Sequence, residues 1–453
     1  MRLALIAVLA FLPALAAQTP SVDSAEKARE LAEDTRELKV YTADDAALKA
    51  LTKLKKIEKL SVSARNSALS QTGYEAVGSL TTLTQLEMID CTSLDDEALR
   101  SLSFLTALTS LQLDEPGKIS AAGLRHLQEI KGLKRLEILH CTTLDDACLK
   151  NIGALKGLEV LTLENCGACT DTGLGYLGEL GLKRFAFTNQ FEIDGSGLAK
   201  MKLEGVEFLN LNGADLENDG LKALGRCAAL MTLDFGTLSS DVAAFKEIAK
   251  CKALRNLTVM MVEQPPEIFD VIGELAALEV LDISFCNMTT PCTRSFSKLA
   301  NLRVLDLTET ELGDAALEPI GKLAKLEKLG LGKCVITAAG VKHLAGCQAL
   351  KELNVANTGV DDAACVEIGK LKKLEKIELR GAPITISGVD ALSRLTSLKE
   401  VDFTDCEKVS DACLVLLAGV KTLTYLNFKG CKSLSPEKIA DLAKALPLCL
   451  IIK

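Results

Sequence analysis

Apolar side chains recur along this chain in the spacing Leu-x-x-Leu-x-Leu. Aligned on its first position, the pattern begins at Ile57, Leu83, Leu108, Leu133, Leu158, Leu182, Val206, Leu230, Leu254, Leu278, Leu302, Leu326, Leu350, Leu374, Leu398 and Leu423. After a first step of 26 residues, every step is 24 or 25. Inside one unit, the apolar positions three and five residues after the anchor, such as Leu86 and Met88, alternate with other side chains. That period of two predicts a short strand. A turn follows, then a helix start such as Leu94-Asp95-Asp96-Glu97-Ala98-Leu99. Similar starts stand at Leu144-Asp145-Asp146, Leu312-Gly313-Asp314, Val360-Asp361-Asp362 and Val409-Ser410-Asp411. Asp or Ser at the N-cap accepts backbone N–H bonds, and an acid in the first turn suits the helix dipole. A helix of about two to three turns returns the chain to the next anchor. Successive strands then pair in parallel. A strand and a helix repeated at this period build a stacked solenoid with one continuous core.

The ends depart from the pattern. Arg2, the apolar run Leu3–Leu12 and Ala14-Leu15-Ala16 have the order of a cleaved export signal, residues 1–16. Residues 17–56 read as an N-terminal cap holding a degenerate first repeat. Within it lie a helix after Ser24, a strand at Leu38 and Val40, and a short helix from Asp44 to Leu51. Sixteen repeats then fill residues 57–446. Residues 447–453 read as a C-terminal cap strand with an apolar edge, able to associate end to end or to fold against the last helix. The least regular unit starts at Leu254. There Met260, Met261 and Val262 run into Pro265-Pro266, and the prolines predict a bulge or protruding loop.

The form L-x-x-L-x-L-x-x-C, followed by a hydrophobic residue and an acidic helix start, resembles leucine-rich repeats. It is most similar to the cysteine-containing subclass of F-box-type proteins, and the likeness runs from Ile57 to about Leu446. The resemblance implies an α/β solenoid: a right-handed horseshoe with a concave parallel β-sheet and convex helices. It also implies two functions. One is a protein-binding scaffold. The alternative is the substrate-recognition subunit of an F-box-type ubiquitin ligase, which needs a helical module before the repeats that residues 17–56 are too short to supply and which an export signal opposes.

Composition narrows the chemistry. Aromatic residues make up 4% of the chain and Trp is absent, so Leu, Ile, Val, Ala and Cys must build the core. The 16 cysteines of an exported chain would suggest disulfides. Their positions argue for buried free thiols instead. Cys91, Cys141, Cys166, Cys286, Cys334, Cys406 and Cys431 all stand eight residues after an anchor, Cys227, Cys251 and Cys347 three before one, and Cys148, Cys365 and Cys413 fifteen after one. Cys166-Gly-Ala-Cys169 has redox spacing, but Cys166 is already explained by its repeat slot. Of the three histidines, His126 and His343 sit at equivalent helix positions and His140 at the sheet rim. With no H-E-x-x-H, no G-x-S-x-G, no phosphate-binding glycine loop and no zinc spacing, we expect no catalytic residue, no metal and no cofactor. A net charge of −9 weighs against nucleic acid as a ligand. No later segment reads as a membrane span. The expected place is secreted or periplasmic.

What remains is the face of the sheet. Side chains two, four and six residues after each anchor should point outward together. The central lane holds Glu87, Glu137, Asp234, Asp282, Asp306, Glu378 and Asp402 and no basic residue. An acidic lane favours a basic protein or peptide partner by electrostatic steering. The flanking Lys59, Arg135, Arg184, Lys328, Lys376, Arg380 and Lys429 could equally neutralise it. A second candidate is an apolar patch of Phe208, Met260, Met261, Val280, Phe285 and Val304, residue types that serve as binding anchors.

Overall fold

The computed structural model describes residues 19–65, 69–190, 192–238, 241–259, 267–288 and 290–453. The export segment, Met260, Met261 and Pro265-Pro266 lie outside the described residues. The chain divides into two compact units, Met1–Thr143 and Leu144–Lys453.

The first unit contains the strands β1 (Ser21–Val22), β2 (Glu37–Val40), β3 (Lys59–Ser63), β4 (Gln85–Ile89), β5 (Ser110–Asp114) and β6 (Arg135–Leu139). Each pairs in parallel with the next. Ser24 and Asp44 cap the helices Ala25–Glu30 and Asp45–Ala50, so the region before Ile57 already has the strand-and-helix rhythm of the repeats. The second unit contains β7 (Val160–Glu164), β8 (Arg184–Thr188), β9 (Phe208–Leu216), β10 (Thr232–Leu238), β11 (Asn256–Val259), β12 (Val280–Asp282) and β13 (Val304–Asp306). After these come β14 (Lys328–Gly330), β15 (Glu352–Asn354), β16 (Lys376–Glu378), β17 (Glu400–Asp402), β18 (Tyr425–Asn427) and β19 (Leu450–Ile452). These too pair in parallel, each with the next. In both units helical segments alternate with the strands. This is the leucine-rich-repeat solenoid.

Register follows from the leucines. Leu257, Leu281, Leu305 and Leu329 are direct partners across β11 to β14, and all are buried. Each such side chain contributes ~2 kcal/mol by leaving water. A slip of one residue would turn the whole ladder out to solvent.

Two local devices recur among the repeats. The residue seven after the anchor takes a left-handed backbone, with φ of 54° at Asp90, 51° at Asn165, 62° at Phe285 and 55° at Asn357. The second is a side-chain turn in the central lane, found in several of the short strands. Strands β3 to β8 have five residues. From β12 to β18 they have three. In the later group an Asp or Asn in the central lane accepts the backbone N–H two residues on: Asp282 from Ser284 at 3.0 Å, Asp306 from Thr308 at 2.9 Å, Asn354 from Ala356 at 2.9 Å and Asp402 from Thr404 at 2.8 Å. This Asx turn accompanies the short strands at these four positions, but it does not set their length: Asn210 accepts the same bond from Asn212 within the longer β9, and β14 and β16 are equally short with Gly330 and Glu378 in the lane. Between the two groups β9 and β10 extend to nine and seven residues and meet across a bulge at Phe235/Thr237. Gly213 makes this possible. Its φ is 95°, and a Cβ there would lie 2.8 Å from the Asn189 backbone.

The paired acids at the helix starts divide their work. The first caps its own helix, as Asp145 does by accepting from Cys148 N–H at 2.9 Å. The second reaches the next repeat. Asp96 accepts from the N–H and hydroxyl of Ser120 at 2.7 and 2.6 Å, Asp146 from Thr170 at 2.8 and 2.7 Å, and Asp362 from Thr385 at 2.8 and 2.5 Å. A glycine three residues after each Ser or Thr leaves room for that carboxylate, because a Cβ on Gly123, Gly173 or Gly388 would stand 2.2 to 2.5 Å from it. Capping alone is therefore half of the explanation for the Asp-Asp pairs.

Fifteen of the cysteines are buried, Cys449 is half-buried, and all are free. The thiols of Cys286, Cys334, Cys406 and Cys431 donate to carbonyls of the preceding repeat, at 3.3, 3.1, 3.1 and 3.1 Å. Burial pushes the Cys91 thiol up to about 12 and those of Cys251 and Cys347 up to about 11. In the C-x-x-C pair, burial raises Cys169, with Cys166 adding to the shift. A reactive thiol needs the opposite change.

Candidate binding face

The face of each sheet that points away from the leucine core is the candidate site. In the first unit the central lane runs Ser61, Glu87, Gln112, Glu137 in strict register. In the second unit the register carries Asn210, Asp234, Thr258, Asp282, Asp306, Gly330, Asn354, Glu378 and Asp402 side by side.

Part of this face is internally neutralised, although Glu87 and Asp402 form no ion pair among the described residues. Lys59 meets Glu37 at 2.6 Å, Arg135 meets Glu137 at 3.2 Å, Lys328 meets Glu352 at 2.7 Å, Lys376 meets Glu378 at 3.1 Å and Arg380 meets Asp405 at 3.4 Å. Arg184 is spent differently: its guanidinium lies 4.0 Å from the centre of the Phe208 ring. Across β10 to β13 the balance is different. Asp234, Asp282 and Asp306 form no ion pair among the described residues. Asp234 is 7% exposed. Burial pushes its carboxyl up to about 6, against a weak opposing bond from Asn212 at 3.5 Å. Asp282 is also raised by burial, partly offset by the N–H and hydroxyl of Ser284, and its neighbour Asp306 raises it further.

The apolar residues regroup. Phe208 partners Thr232, then Asn256, and only then Val280. At the usual strand spacing it stands roughly 14 Å from Val280, with its ring already covered by Arg184. Val280 and Val304 are direct partners, both half-buried. Phe285, 37% exposed, sits on the turn that follows the Val280 strand. The structure thus brings together Val280, Val304 and Phe285 with Asp282 and Asp306, and separates Phe208 from them. Glu87, Glu137, Glu378 and Asp402 lie elsewhere in the lane.

One feature escaped sequence reasoning. The residue just after the anchor forms a cross-repeat charge ladder. Arg255 meets Glu279 at 2.9 Å, Arg303 meets Glu327 at 2.7 Å, Lys351 meets Glu327 at 2.8 Å and Lys399 meets Glu375 at 2.7 Å. The alternating signs of that one column were the available signal. On the last strand, Leu450 is 60% exposed and the preceding Leu448 90%, so neither folds under the final helix Pro436–Ala445.

Among the described residues no three His, Cys, Asp or Glu side chains are grouped to hold a metal, and no helix is long and apolar enough to cross a membrane. His140 pairs with Asp114, Nδ1 to Oδ1 at 2.9 Å, at the rim of the first unit.

Comparison with known proteins agrees with the geometry at the level of fold. A family model described as Leucine Rich repeat matches residues 298–321. No curated protein sequence matches the chain. Among solved structures, an internalin, InlF, from Listeria monocytogenes is similar with a TM-score of 0.55 and 18% identity, covering 74% of this chain and 89% of that one. TLR13, solved as a complex with ssRNA13, is similar with a TM-score of 0.53 and 18% identity, and this chain spans 60% of its length while 90% of this chain is covered. The protein has the leucine-rich-repeat fold.

Proposed function

We propose that the protein is an exported, non-enzymatic scaffold that recognises a protein or peptide on the open face of the second unit's sheet. Phe285 carries this reading. Many equivalent turn positions hold Asp, Asn, Glu, His or Lys. A left-handed backbone costs a bulky side chain ~1 kcal/mol, and a half-solvated ring recovers little of it in the core. Contact with a partner would recover it. In a chain so poor in aromatics, an exposed Phe beside two half-buried valines is the part of this surface most like a binding hot spot. The solenoid supplies a broad surface, which suits binding.

The complex of TLR13 with RNA suggests a second partner class, but the unneutralised carboxylates of this face repel phosphate. Affinity capture from extracellular or periplasmic fractions with wild-type protein and Phe285→Ser tests the reading. A specific protein partner held by the wild type and lost by the variant is the expected result. Equal capture by both, or nucleic acid as the bound species, overturns it. Detection of the chain only in the cytoplasm overturns the export.

A further inference from the structure

On the β12–β13 face an apolar strip borders carboxylates that form no ion pair among the described residues. We infer that this face docks a cationic segment of the partner, with a Lys or Arg stem lying over Val280 and Val304 and its charged head between Asp282 and Asp306. The inference rests on the binding reading above and adds the partner's chemistry.

The geometry suits such a side chain. Val280 and Asp282 are two residues apart on one strand, as are Val304 and Asp306, so all four point to the same face. From valine to carboxylate is about 7 Å along the strand, the reach of a lysine whose methylenes lie on apolar surface while its ammonium meets an acid. The two carboxylates belong to directly paired residues, about 4.8 Å apart at strand spacing. Like charges at that spacing repel, and Asp306 adds to the upward shift that burial gives Asp282. Elsewhere on the face Glu137 and Glu378 have Arg135 and Lys376 beside them, whereas among the described residues Asp282 and Asp306 form no ion pair and have Ser284, Thr308 and each other as neighbours. A cation from outside would relieve that repulsion and complete the charge pattern found in the neighbouring repeats. The buried Asp234, two strands away, adds to the same field. Phe285 lies at the end of the strip, where an aromatic ring favours a cation.

The test separates charge from structure because asparagine can replace these aspartates without loss of the turn. Asn354 holds its own turn at 2.9 Å and Asn427 at 3.1 Å in the same lane. Fluorescence anisotropy on the full protein would use three labelled probes: an extended Lys-Ser peptide, a matched Glu-Ser peptide and a short single-stranded RNA. The Lys-Ser peptide should bind at least about tenfold more tightly than the Glu-Ser peptide, and more weakly as salt is raised. Asp282→Asn/Asp306→Asn should weaken it at least about tenfold with no loss of melting temperature, and Glu87→Gln on the first unit should not weaken it. Equal affinity of the Lys-Ser peptide for wild type and the double variant overturns the inference, as does tighter binding of the Glu-Ser peptide or the RNA. If Phe285→Ser abolishes capture of a natural partner while the double variant retains it, the cationic inference fails and the binding reading stands.

Discussion

Asp234 shows how far a side chain's behaviour depends on what surrounds its lane. The usual carboxyl value is 3.8, whereas burial pushes Asp234 up to about 6. Between those values the folded protein binds a proton that the unfolded chain does not. A raised acid is no burden below the lower value and an increasing one as pH rises to the higher. Neutralising the residue as Asp234→Asn should therefore stabilise the protein at pH 7.5 by on the order of 2 kcal/mol and have little effect at pH 4. Urea denaturation of both proteins at the two pH values measures this, and a pH-independent difference would contradict it. Phe285 gives the complementary case. Asn stands at the same turn position at residues 165, 189 and 357, so Phe285→Asn should gain up to ~1 kcal/mol by relieving the left-handed strain while losing the partner. A loss of more than ~1 kcal/mol would mean that the ring supports the fold. The sequence placed Asp234 and Asp282 in one lane and Phe285 at its rim. It did not foresee that Asp234 would be buried, because the long β9–β10 pairing depends on Gly213 and a bulge that no repeat period announces.

Between neighbouring repeats, the carboxylate-to-hydroxyl latch is the connection that leucine packing does not supply. Asp362 receives three hydrogen bonds from the following repeat, two from Thr385 and one from Gly388 N–H at 3.0 Å. Bonds to a charged acceptor are the stronger kind. Asp362→Ala strands the N–H groups of Thr385 and Gly388, and should cost ~2 kcal/mol. Gly388→Ala should cost a similar amount from the other side, since its Cβ would stand 2.5 Å from the same carboxylate. The two losses should be strongly non-additive in a double-mutant cycle, because they break one contact; additive losses would show that the latch is not shared. Here the sequence was half legible. Asp-Asp before a helix reads locally as a cap, and the first aspartate of each pair is one. The role of the second depends on a residue about 24 positions away and emerges only when repeats are laid over one another. The charge ladder of Arg255, Glu279, Arg303 and Glu327 was hidden in the same way. Its exposed pairs are each worth little energy, so they are better understood as fixing which side chains face each other.

At the scale of the whole chain, the cysteines join the repeat geometry to the proposed export. A secreted protein with 16 cysteines ordinarily becomes cross-linked. Here many of the repeat-locked thiols are committed elsewhere. Cys334, Cys406 and Cys431 donate to backbone carbonyls at 3.1 Å, and Cys251 and Cys347 do so at 3.3 and 3.4 Å. Pairing two of them would break those bonds and force the side chains from the orientation that stacking gives all of them alike. Burial also raises their pKa values and so leaves almost no thiolate to begin the exchange. An oxidising compartment therefore threatens the unfolded chain and not the folded one. Titration with a thiol reagent should find all 16 thiols in denaturant without reductant. In the native state about one should react, at the half-buried Cys449, and Cys449→Ser should remove that signal. Several missing thiols in the denatured protein would reveal disulfides and refute the argument. Rapid reaction of many native thiols would show instead that the repeats open far more readily than their packing implies.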